Sequence, residues 1–349
     1  MTAAEDSLLP DLPSGWTARV PVLADVPALV SLRGADALPW TGSGNLDEAA
    51  VESEVAGPAS WTRRQLVAVA ADDVPRAWIT VHDRAAGRAL VWGYFDRTVE
   101  EVDAIADAFY AWAEDQALEM ARLRRVEKTR LDDSPFGDDE RQRSWLARAG
   151  YTKQRTWLHM TRPVTPEDAE AELREGVTIR PVAKHENGMP VAADLHLVHQ
   201  MLEESFEDHF NSYRESFPEF VQRLREDPGH RWDHWWLAYV DIDGEQRPAG
   251  ALVCSVLAEN AAGKQGSYVE YIGVNRDARG RGVAKSLLNT VIADAAQRGR
   301  DRVGLEVDDT SPTKADQLYL SLGWVTDYVT DSWFKDLEVP GSPTEGDVQ

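Results

Sequence analysis

The feature that most constrains the fold of this chain is an internal repeat. Residues 11–162 and 177–338 carry the same series of strand-like and helix-like segments. Each half opens with a short strand that leads into Arg19-Val-Pro-Val or Arg180-Pro-Val, and each closes with a helix, a glycine, an aromatic residue and a strand. The closing pairs are Gly150-Tyr151 and Gly323-Trp324, and we expect both glycines to lie just past a helix end. The pattern predicts an α/β domain built twice.

The interior of each half holds three β-rich runs and one long helix. The runs are residues 66–70, 77–82 and 89–95 in the first half, and 235–241, 249–257 and 268–274 in the second. The helix of the second half has apolar residues at three-to-four spacing, namely Val283, Leu287, Leu288, Val291, Ile292 and Ala295. A strand over 302–307 and a short helix that begins at Ser311 and Pro312 are predicted to follow.

Residues 163–176 separate the two halves and are polar, acidic and bracketed by Pro163 and Gly176. Such a segment is typical of a linker between domains. The predicted boundaries are a first domain over 11–162, a linker over 163–176, a second domain over 177–338 and a flexible tail over 339–349. A length of 349 residues is also what two domains require.

Charge and cysteine usage limit the partners. The chain has 60 acidic and 37 basic side chains and a net charge of −23, so its averaged field disfavours nucleic acid and anionic membranes. The charge either favours a cationic ligand or simply serves solubility. The single cysteine, Cys254, excludes an internal disulfide and is expected to be a buried thiol. No metal-ligand spacing is present. Because neither a signal peptide nor a membrane span is found, we expect a cytoplasmic protein.

The segment over 274–284 joins a strand to the helix of the second half. Gly280 and Gly282 remove side chains from a turn that opens a helix, so several N–H groups and the helix dipole converge on one point. Arg279 and Arg281 add positive charge. The dinucleotide fingerprint would need Gly or Ala where Lys285 stands, and the P-loop fails as well. The segment therefore predicts a site for the phosphates of a ligand.

Two motifs carry a resemblance to a known family. Residues 279–284, Arg-Gly-Arg-Gly-Val-Ala, resemble the Arg/Gln-x-x-Gly-x-Gly/Ala signature of the GNAT acetyltransferase superfamily. Residues 318–324, Leu-Tyr-Leu-Ser-Leu-Gly-Trp, resemble its Leu-Tyr-x-x-x-Gly-Phe motif. The whole chain looks like a tandem-GNAT protein, an arrangement that mycothiol synthase shares. The resemblance implies two α/β domains, each a mixed, splayed central sheet flanked by helices, with acetyl-coenzyme A as the acyl donor and no metal.

The resemblance also implies roles for individual residues. Tyr319 matches the tyrosine that in many members protonates the departing thiolate, and Ser311 stands where the family usually has an asparagine that contacts the coenzyme. The strand end would pair with the pantetheine arm through Ile272, Gly273 and Val274. The pyrophosphate would be held by backbone N–H groups of Arg279, Gly280, Arg281, Gly282, Val283 and Ala284.

Transfer to an amine also needs a base. Glu270 is the leading candidate, because a carboxylate in a strand either faces solvent or lies in a cleft where its pKa can be tuned. Glu306, Asp308 and His209 are lesser candidates. Residues 202–220 are acidic and aromatic, which would suit a cationic amine acceptor or simply form an amphipathic helix with a solvated face.

The first half differs at the matching place. Its strand is followed by residues 96–103, Asp-Arg-Thr-Val-Glu-Glu-Val-Asp, without a glycine pair, and Thr98 and Glu101 are predicted to form a capping box. Leu146 stands where the second half has Tyr319. We therefore expect a degenerate GNAT-like domain that does not bind acetyl-coenzyme A.

The leading functional hypothesis is an acetyl-coenzyme A-dependent N-acetyltransferase that acts on a primary amine of a small molecule by direct attack in a ternary complex. Mycothiol synthase and protein N-acetyltransferase are alternatives among enzymes. A non-catalytic protein that binds or senses acetyl-coenzyme A is the alternative from another class.

Overall fold

The structure is a computed structural model that describes residues 9–42, 47–206, 215–311 and 314–340. The chain divides into two compact units. Unit 1 is Met1–Trp157 with Tyr328–Gln349, and unit 2 is Leu158–Asp327. None of the helices in the described ranges has both the length and the hydropathy needed to cross a bilayer.

The described ranges contain both strands and helices. The strands are β1 (Thr17–Arg19), β2 (Arg63–Val69), β3 (Pro75–Asp83), β4 (Arg88–Phe95), β5 (Lys128–Asp133), β6 (Thr152–Pro163), β7 (Val177–Pro181), β8 (His230–Ile242), β9 (Glu245–Leu257), β10 (Gly266–Val274), β11 (Arg302–Asp308) and β12 (Val325–Glu338). The α-helices are α1 (Val26–Thr41), α2 (Glu48–Val55), α3 (Val102–Arg124), α4 (Glu140–Arg148), α5 (Ala192–Phe206), α6 (Phe217–Glu226), α7 (Val283–Gln297) and α8 (Ala315–Ser321).

Unit 1 is a mixed sheet with the strand order β1-β2-β3-β4-β5-β12. Strands β4 and β5 are parallel, and β12 runs antiparallel to β5. Alternate residues of β3 face opposite sides, as a strand requires. Ile79 packs in the core that α3 covers, and Trp78 packs in the core that α1 and α2 cover. The sheet is therefore flanked by helices on both faces.

Unit 2 has the strand order β6-β11-β10-β9-β8-β7, in which β10 and β11 are parallel and β10 and β9 antiparallel. Leu252 and Cys254 of β9 belong to the core beneath α7. Their neighbours Ala251 and Val253 belong to the core beneath α5 and α6. This alternation defines an α7 face and an α5–α6 face of the sheet. The expected fold class, a mixed sheet flanked by helices, is confirmed.

The units do not follow the predicted boundaries at the last strand of each half. Strand β6 enters unit 2 at Leu158, and β12 enters unit 1 at Tyr328. The pairing partners of a final strand lie far away in sequence, so a local pattern does not reveal them. Val339, at the start of the predicted tail, is buried, and its N–H donates to the Glu127 carbonyl at 2.8 Å. Residues 341–349 lie outside the described ranges.

The predicted linker over 163–176 packs along α7 within unit 2. Side chains of α7 hold its backbone: the Gln297 amide donates to the Ala169 carbonyl at 2.7 Å, and the Asn289 amide donates to the Glu172 carbonyl at 2.8 Å. The N–H of Arg174 donates to the Ser286 hydroxyl at 3.0 Å. These bonds fix the course of the segment up to the start of α7.

Several local predictions are confirmed. Gly150 and Gly323 lie just past α4 and α8 with φ of +85° and +89°. All six predicted apolar residues of α7 are buried, and so is Cys254. The predicted helix start at Ser311 is wrong, because α8 begins at Ala315 after Lys314, whose φ is +51°. Pro312 lies outside the described ranges.

Candidate active site

A gap opens in the sheet of unit 2 between β10 and β11. Their parallel register covers Ser267 opposite Val303 and Tyr268 opposite Gly304. Beyond these residues β10 remains paired with β9 as far as Val274. The two parallel strands therefore diverge toward their carboxyl ends, and one edge of β10 faces the gap.

A β-bulge in β10 lies at the start of this gap. Val269 pairs with Cys254 and Tyr271 pairs with Val253, so Glu270 is the extra residue between them. Val269 packs on the α7 face, whereas Tyr271 packs on the α5–α6 face. The Ser255 hydroxyl donates to Glu270 Oε1 at 2.7 Å. Because Ser255 lies two residues beyond Val253, this bond directs Glu270 to the α5–α6 face.

The surroundings of Glu270 make it a candidate base. Burial raises the pKa of its carboxyl to about 7, and the charges of Asp227 and Glu306 act in the same direction. The hydrogen bond from Ser255 and the charge of Arg223 oppose this rise. A carboxyl with a pKa near neutral pH can accept a proton during turnover and release it again.

Tyr319 lies on the other face of the sheet. It is 6% exposed, packs against Trp324 with ring centroids 5.9 Å apart and belongs to the core beneath α7. Burial raises its pKa to about 12, so the hydroxyl keeps its proton at neutral pH. The two predicted catalytic side chains thus lie on opposite faces of a sheet that is open between β10 and β11.

The loop after β10 joins this strand to α7, as the sequence predicted. Asn275 fixes its start by donating to Glu204 Oε2 at 2.7 Å and accepting from the Asp277 N–H at 3.1 Å. Gly280 and Gly282 have φ of +78° and +80°, which side chains disfavour. Gly282 is the N-cap of α7 and has no capping side chain, so the first N–H groups of the helix point outward.

The N–H groups of the loop are not equivalent. Those of Arg279 and Arg281 donate within the loop, to the Arg276 carbonyl at 3.1 Å and the Ala278 carbonyl at 3.4 Å. Both side chains are exposed and add positive charge beside the helix start. Val283 and Ala284 begin α7.

A cavity of about 470 Å³ borders the same loop. Gly280 and Arg281 form one wall, residues 174–177 another, and Val240 and Asp241 a third. The side chain of Arg174 lies against Gly282, where a Cβ atom would come within 2.8 Å of Arg174 Cγ. A bulkier residue at 282 would therefore meet both backbone strain and a steric clash.

The remaining predicted residues have these positions. Ile272, Gly273 and Val274 pair with β9 on one side and end β10 at the gap. Ser311 lies in the turn after β11, where its N–H donates to the Asp308 carbonyl at 3.1 Å. Asp308 is buried and its carboxylate accepts from the N–H and the hydroxyl of Thr310, which argues for a structural role. His209 lies outside the described ranges, as do residues 207–214 of the predicted acceptor segment.

Two residues near the gap were missed by the sequence analysis. One is Ser255, the hydrogen-bond donor to Glu270. The other is His159 of β6, whose Nε2 lies 3.7 Å from Glu306 Oε2. His159 belongs to the first half of the sequence but lies in unit 2, and no local pattern indicates this. Within the described ranges, no three His, Cys, Asp or Glu side chains converge to hold a metal ion.

The matching region of unit 1 is built differently. Helix α3 begins at Val102, and the side chain of its N-cap residue Glu101 makes no capping bond. The predicted capping box of Thr98 and Glu101 is wrong, because both the N–H and the hydroxyl of Thr98 donate to Asp96 Oδ1. Asp103, in the first turn of α3, accepts from Trp145 Nε1 at 2.6 Å.

Comparisons with known proteins find similarity to acetyltransferases. Residues 197–324 match the family model of the acetyltransferase (GNAT) family. A mycothiol acetyltransferase of Thermobispora bispora is 33% identical over 187 residues, which cover 51% of this chain and 57% of that relative. The chain therefore matches little more than half of the relative's length.

Two solved structures match nearly the whole chain in fold. A GCN5-related N-acetyltransferase from Sphaerobacter thermophilus has a TM-score of 0.72 at 23% identity, covering 94% of this chain and 98% of its own. A tandem GNAT protein from the clavulanic acid biosynthesis pathway has a TM-score of 0.65 at 11% identity, covering 94% and 100%. The family model thus places residues 197–324 in the acetyltransferase (GNAT) family, and the two solved structures share the fold of nearly the whole chain.

Proposed function

We propose that the protein is an acetyl-coenzyme A-dependent N-acetyltransferase that transfers the acetyl group to a primary amine of a small molecule. The observation that carries the proposal is Glu270, a carboxyl with a pKa of about 7 on a bulge beside the gap in the sheet. The glycine loop at the start of α7 supports it, because uncapped N–H groups and two exposed arginines suit a pyrophosphate.

The proposed chemistry is direct transfer. The acceptor reacts as the neutral amine: its nitrogen attacks the thioester carbonyl carbon, and Glu270 accepts the proton that the nitrogen loses. The new C–N bond forms, the C–S bond breaks, and the thiolate takes a proton from the Tyr319 hydroxyl. Tyr319 then regains a proton from solvent, and Glu270 releases its proton to solvent. Positions of the two side chains on opposite faces support this division of roles, since donor and acceptor can approach the gap from different sides.

The coenzyme would be held by this chain's own backbone. The N–H groups of Gly280, Gly282, Val283 and Ala284 would bind the pyrophosphate, with Arg279 and Arg281 adding charge. The open edge of β10 over Ile272, Gly273 and Val274 would pair with the pantetheine arm. Ser311 is the weakest of the predicted contacts, because its turn lies after β11 rather than at a helix start.

A second candidate is acetylation of the amine of a cysteinyl pseudodisaccharide, as in mycothiol synthesis. The similarity to the mycothiol acetyltransferase of Thermobispora bispora favours it. Both candidates share the donor and the catalytic side chains, and they differ only in the acceptor.

A thiol-release assay with acetyl-coenzyme A tests the proposal. The acceptor panel should contain small aliphatic amines, aminosugars, a cysteinyl aminosugar and short peptides, with mass spectrometry of each product. We expect release with at least one small-molecule amine and a product heavier by one acetyl group. Tight coenzyme binding without release for any acceptor would contradict the proposal and indicate a coenzyme-sensing protein.

A further inference from the structure

A second carboxylate faces the same side of the sheet as Glu270. Val303, Leu305 and Val307 of β11 pack in the core beneath α7. Because strand residues alternate, Glu306 must face the opposite side, which is the α5–α6 face. Glu306 lies two residues beyond Gly304, which is the last residue of β11 that pairs with β10. On β10, Glu270 lies two residues beyond Tyr268, the partner of Gly304. The two carboxylates therefore flank the gap at the same level.

The neighbour of Glu306 does not neutralise it. Leu158 and Met160 of β6 pack in the core beneath α7, so His159 between them faces the α5–α6 side. Its Nε2 lies 3.7 Å from Glu306 Oε2, too far for a hydrogen bond. Burial lowers the pKa of His159 to about 4, so the imidazole is uncharged at neutral pH.

The charge of Glu306 is also accessible. The Glu306 side chain is 50% exposed. Burial of the remainder raises the pKa of its carboxyl. Among the residues that the structure describes, no Lys or Arg forms an ion pair with Glu306 or with Glu270. Two carboxylates without a paired cation thus face each other across the gap, and the charge of Glu306 contributes to the raised pKa of Glu270.

We propose that Glu306 is a specificity-determining residue that selects acceptors with a second cationic group, namely short aliphatic diamines. One nitrogen would lie at Glu270 and react, and the other, as an ammonium, would pair with Glu306. Neighbouring strands are roughly 5 Å apart where they pair and farther apart where they diverge. This spacing suits two nitrogens that are joined by three or four carbons. The inference rests on the proposed function of the gap as the transfer site.

Matched amines test the role of Glu306. The assay compares kcat/KM for propanediamine and butanediamine with kcat/KM for propylamine and butylamine, in the wild-type protein and in Glu306→Gln. We expect the wild type to prefer diamines by about tenfold, which corresponds to about 1.4 kcal/mol. Glu306→Gln should remove this preference, by raising KM for the diamines about tenfold more than KM for the monoamines.

Two further variants separate this role from a general effect. Glu306→Asp keeps the charge and should restore part of the preference for diamines. Glu245→Gln removes one exposed carboxylate from the β8–β9 hairpin and should leave the preference intact. An equal loss for diamines and monoamines in Glu306→Gln, or a wild type without any preference for diamines, would overturn the inference while leaving acetyl transfer established. Absence of turnover with every amine would instead contradict the proposed function itself.

Discussion

The parallel strand pairs β4–β5 in unit 1 and β10–β11 in unit 2 have the same topology but different side chains at their carboxyl ends. In unit 1 the last residue of β5 is Asp133, which is 2% exposed and accepts from the Tyr110 hydroxyl at 3.1 Å. Aromatic rings pack nearby. The ring centroids of Phe95 and Trp145 are 4.8 Å apart, and those of Tyr110 and Tyr151 are 6.0 Å apart. In unit 2 the corresponding space holds Glu270 and Glu306, and half of the Glu306 side chain reaches solvent.

The backbone differs at the same place. Strand β4 pairs with β3 in an unbroken register from Ala89 to Phe95, whereas β10 has the bulge at Glu270. Neither α3 nor α7 has a capping side chain at its start, but α3 has the Asp103 carboxylate in its first turn, bonded to Trp145, whereas α7 has a glycine N-cap and no acidic residue in its first turn. Leu146, the counterpart of Tyr319, is 0% exposed in the core of unit 1.

These differences show that the fold alone does not make a transfer site. A buried carboxyl with a pKa near 7 occurs in both units, at Asp133 and at Glu270. Only the second is combined with a diverging strand pair that remains open and with an uncapped glycine loop. We therefore propose that unit 2 carries acetyl transfer and that unit 1 is a degenerate GNAT-like domain.

The largest effect on kcat is expected from removing the carboxyl of Glu270, with the carboxyl of Asp133 as the matched control. Glu270→Gln should lower kcat about a thousandfold, because it removes the proton acceptor, and should leave coenzyme affinity unchanged. Asp133→Asn makes the matched change in unit 1 and should leave kcat unchanged. The measurement is thiol release together with a coenzyme titration. Equal rates for Glu270→Gln and the wild type would refute the assignment of the base.

A smaller loss is expected for the acid. Tyr319→Phe should lower kcat by about a hundredfold, since the thiolate then leaves without a protein proton donor. Tyr151→Phe is the matched control, because Tyr151 is also buried and its hydroxyl has no hydrogen-bond partner in the described part of the chain. Steady-state kinetics with one amine acceptor measures both. An unchanged rate in Tyr319→Phe would remove this residue from the mechanism.

The glycine loop should respond in coenzyme affinity rather than in chemistry. Gly282→Val places a branched side chain at φ +80° and against Arg174, and we expect the Kd for coenzyme A to rise at least about tenfold. Gly299→Val introduces comparable strain at φ +71° beyond the other end of α7, where a Cβ meets nothing within 4 Å. Calorimetry on both variants separates strain from the loss of the loop. Similar Kd values in the two variants would argue against the loop as the phosphate site.

The smallest effect on activity, but a clear effect on stability, is expected at Asp133. Burial raises its pKa from 3.8 to about 7, so the folded state binds this proton more tightly than the unfolded state. The resulting stabilisation is complete below pH 4 and is lost as the pH rises through 7. Between pH 5 and pH 8 the free energy of unfolding of the wild type should fall by about 3 kcal/mol relative to that of Asp133→Asn. Denaturant unfolding of both proteins at several pH values measures the difference, and parallel pH curves would show that Asp133 does not titrate near 7.

Local patterns were sufficient for much of this structure. The spacing of Leu287, Leu288 and Val291 gave the buried face of α7, and Gly280 and Gly282 indicated the turn that opens this helix. Both are properties of short segments, in which periodicity and the missing Cβ act directly. The position of Glu270 in a strand was also predictable from its apolar neighbours.

Features that depend on distant partners could not be predicted. The bulge at Glu270 exists because β9 supplies Cys254 and Val253 as consecutive partners of Val269 and Tyr271. The presence of His159 in unit 2 depends on where β6 pairs. Local capping signals failed at Thr98, whose N–H and hydroxyl donate to Asp96, and at Ser311, whose N–H donates to the Asp308 carbonyl. The capping propensity of a residue does not reveal such alternative hydrogen bonds.

The most direct test of the proposed difference between unit 1 and unit 2 is the number of coenzyme sites per chain. Isothermal titration calorimetry of the intact protein with acetyl-coenzyme A should give one site, and the same titration of Gly282→Val should give that site with a Kd at least about tenfold higher. Two sites in the wild type, or one full-strength site that survives Gly282→Val, would contradict the assignment of coenzyme binding to unit 2 alone.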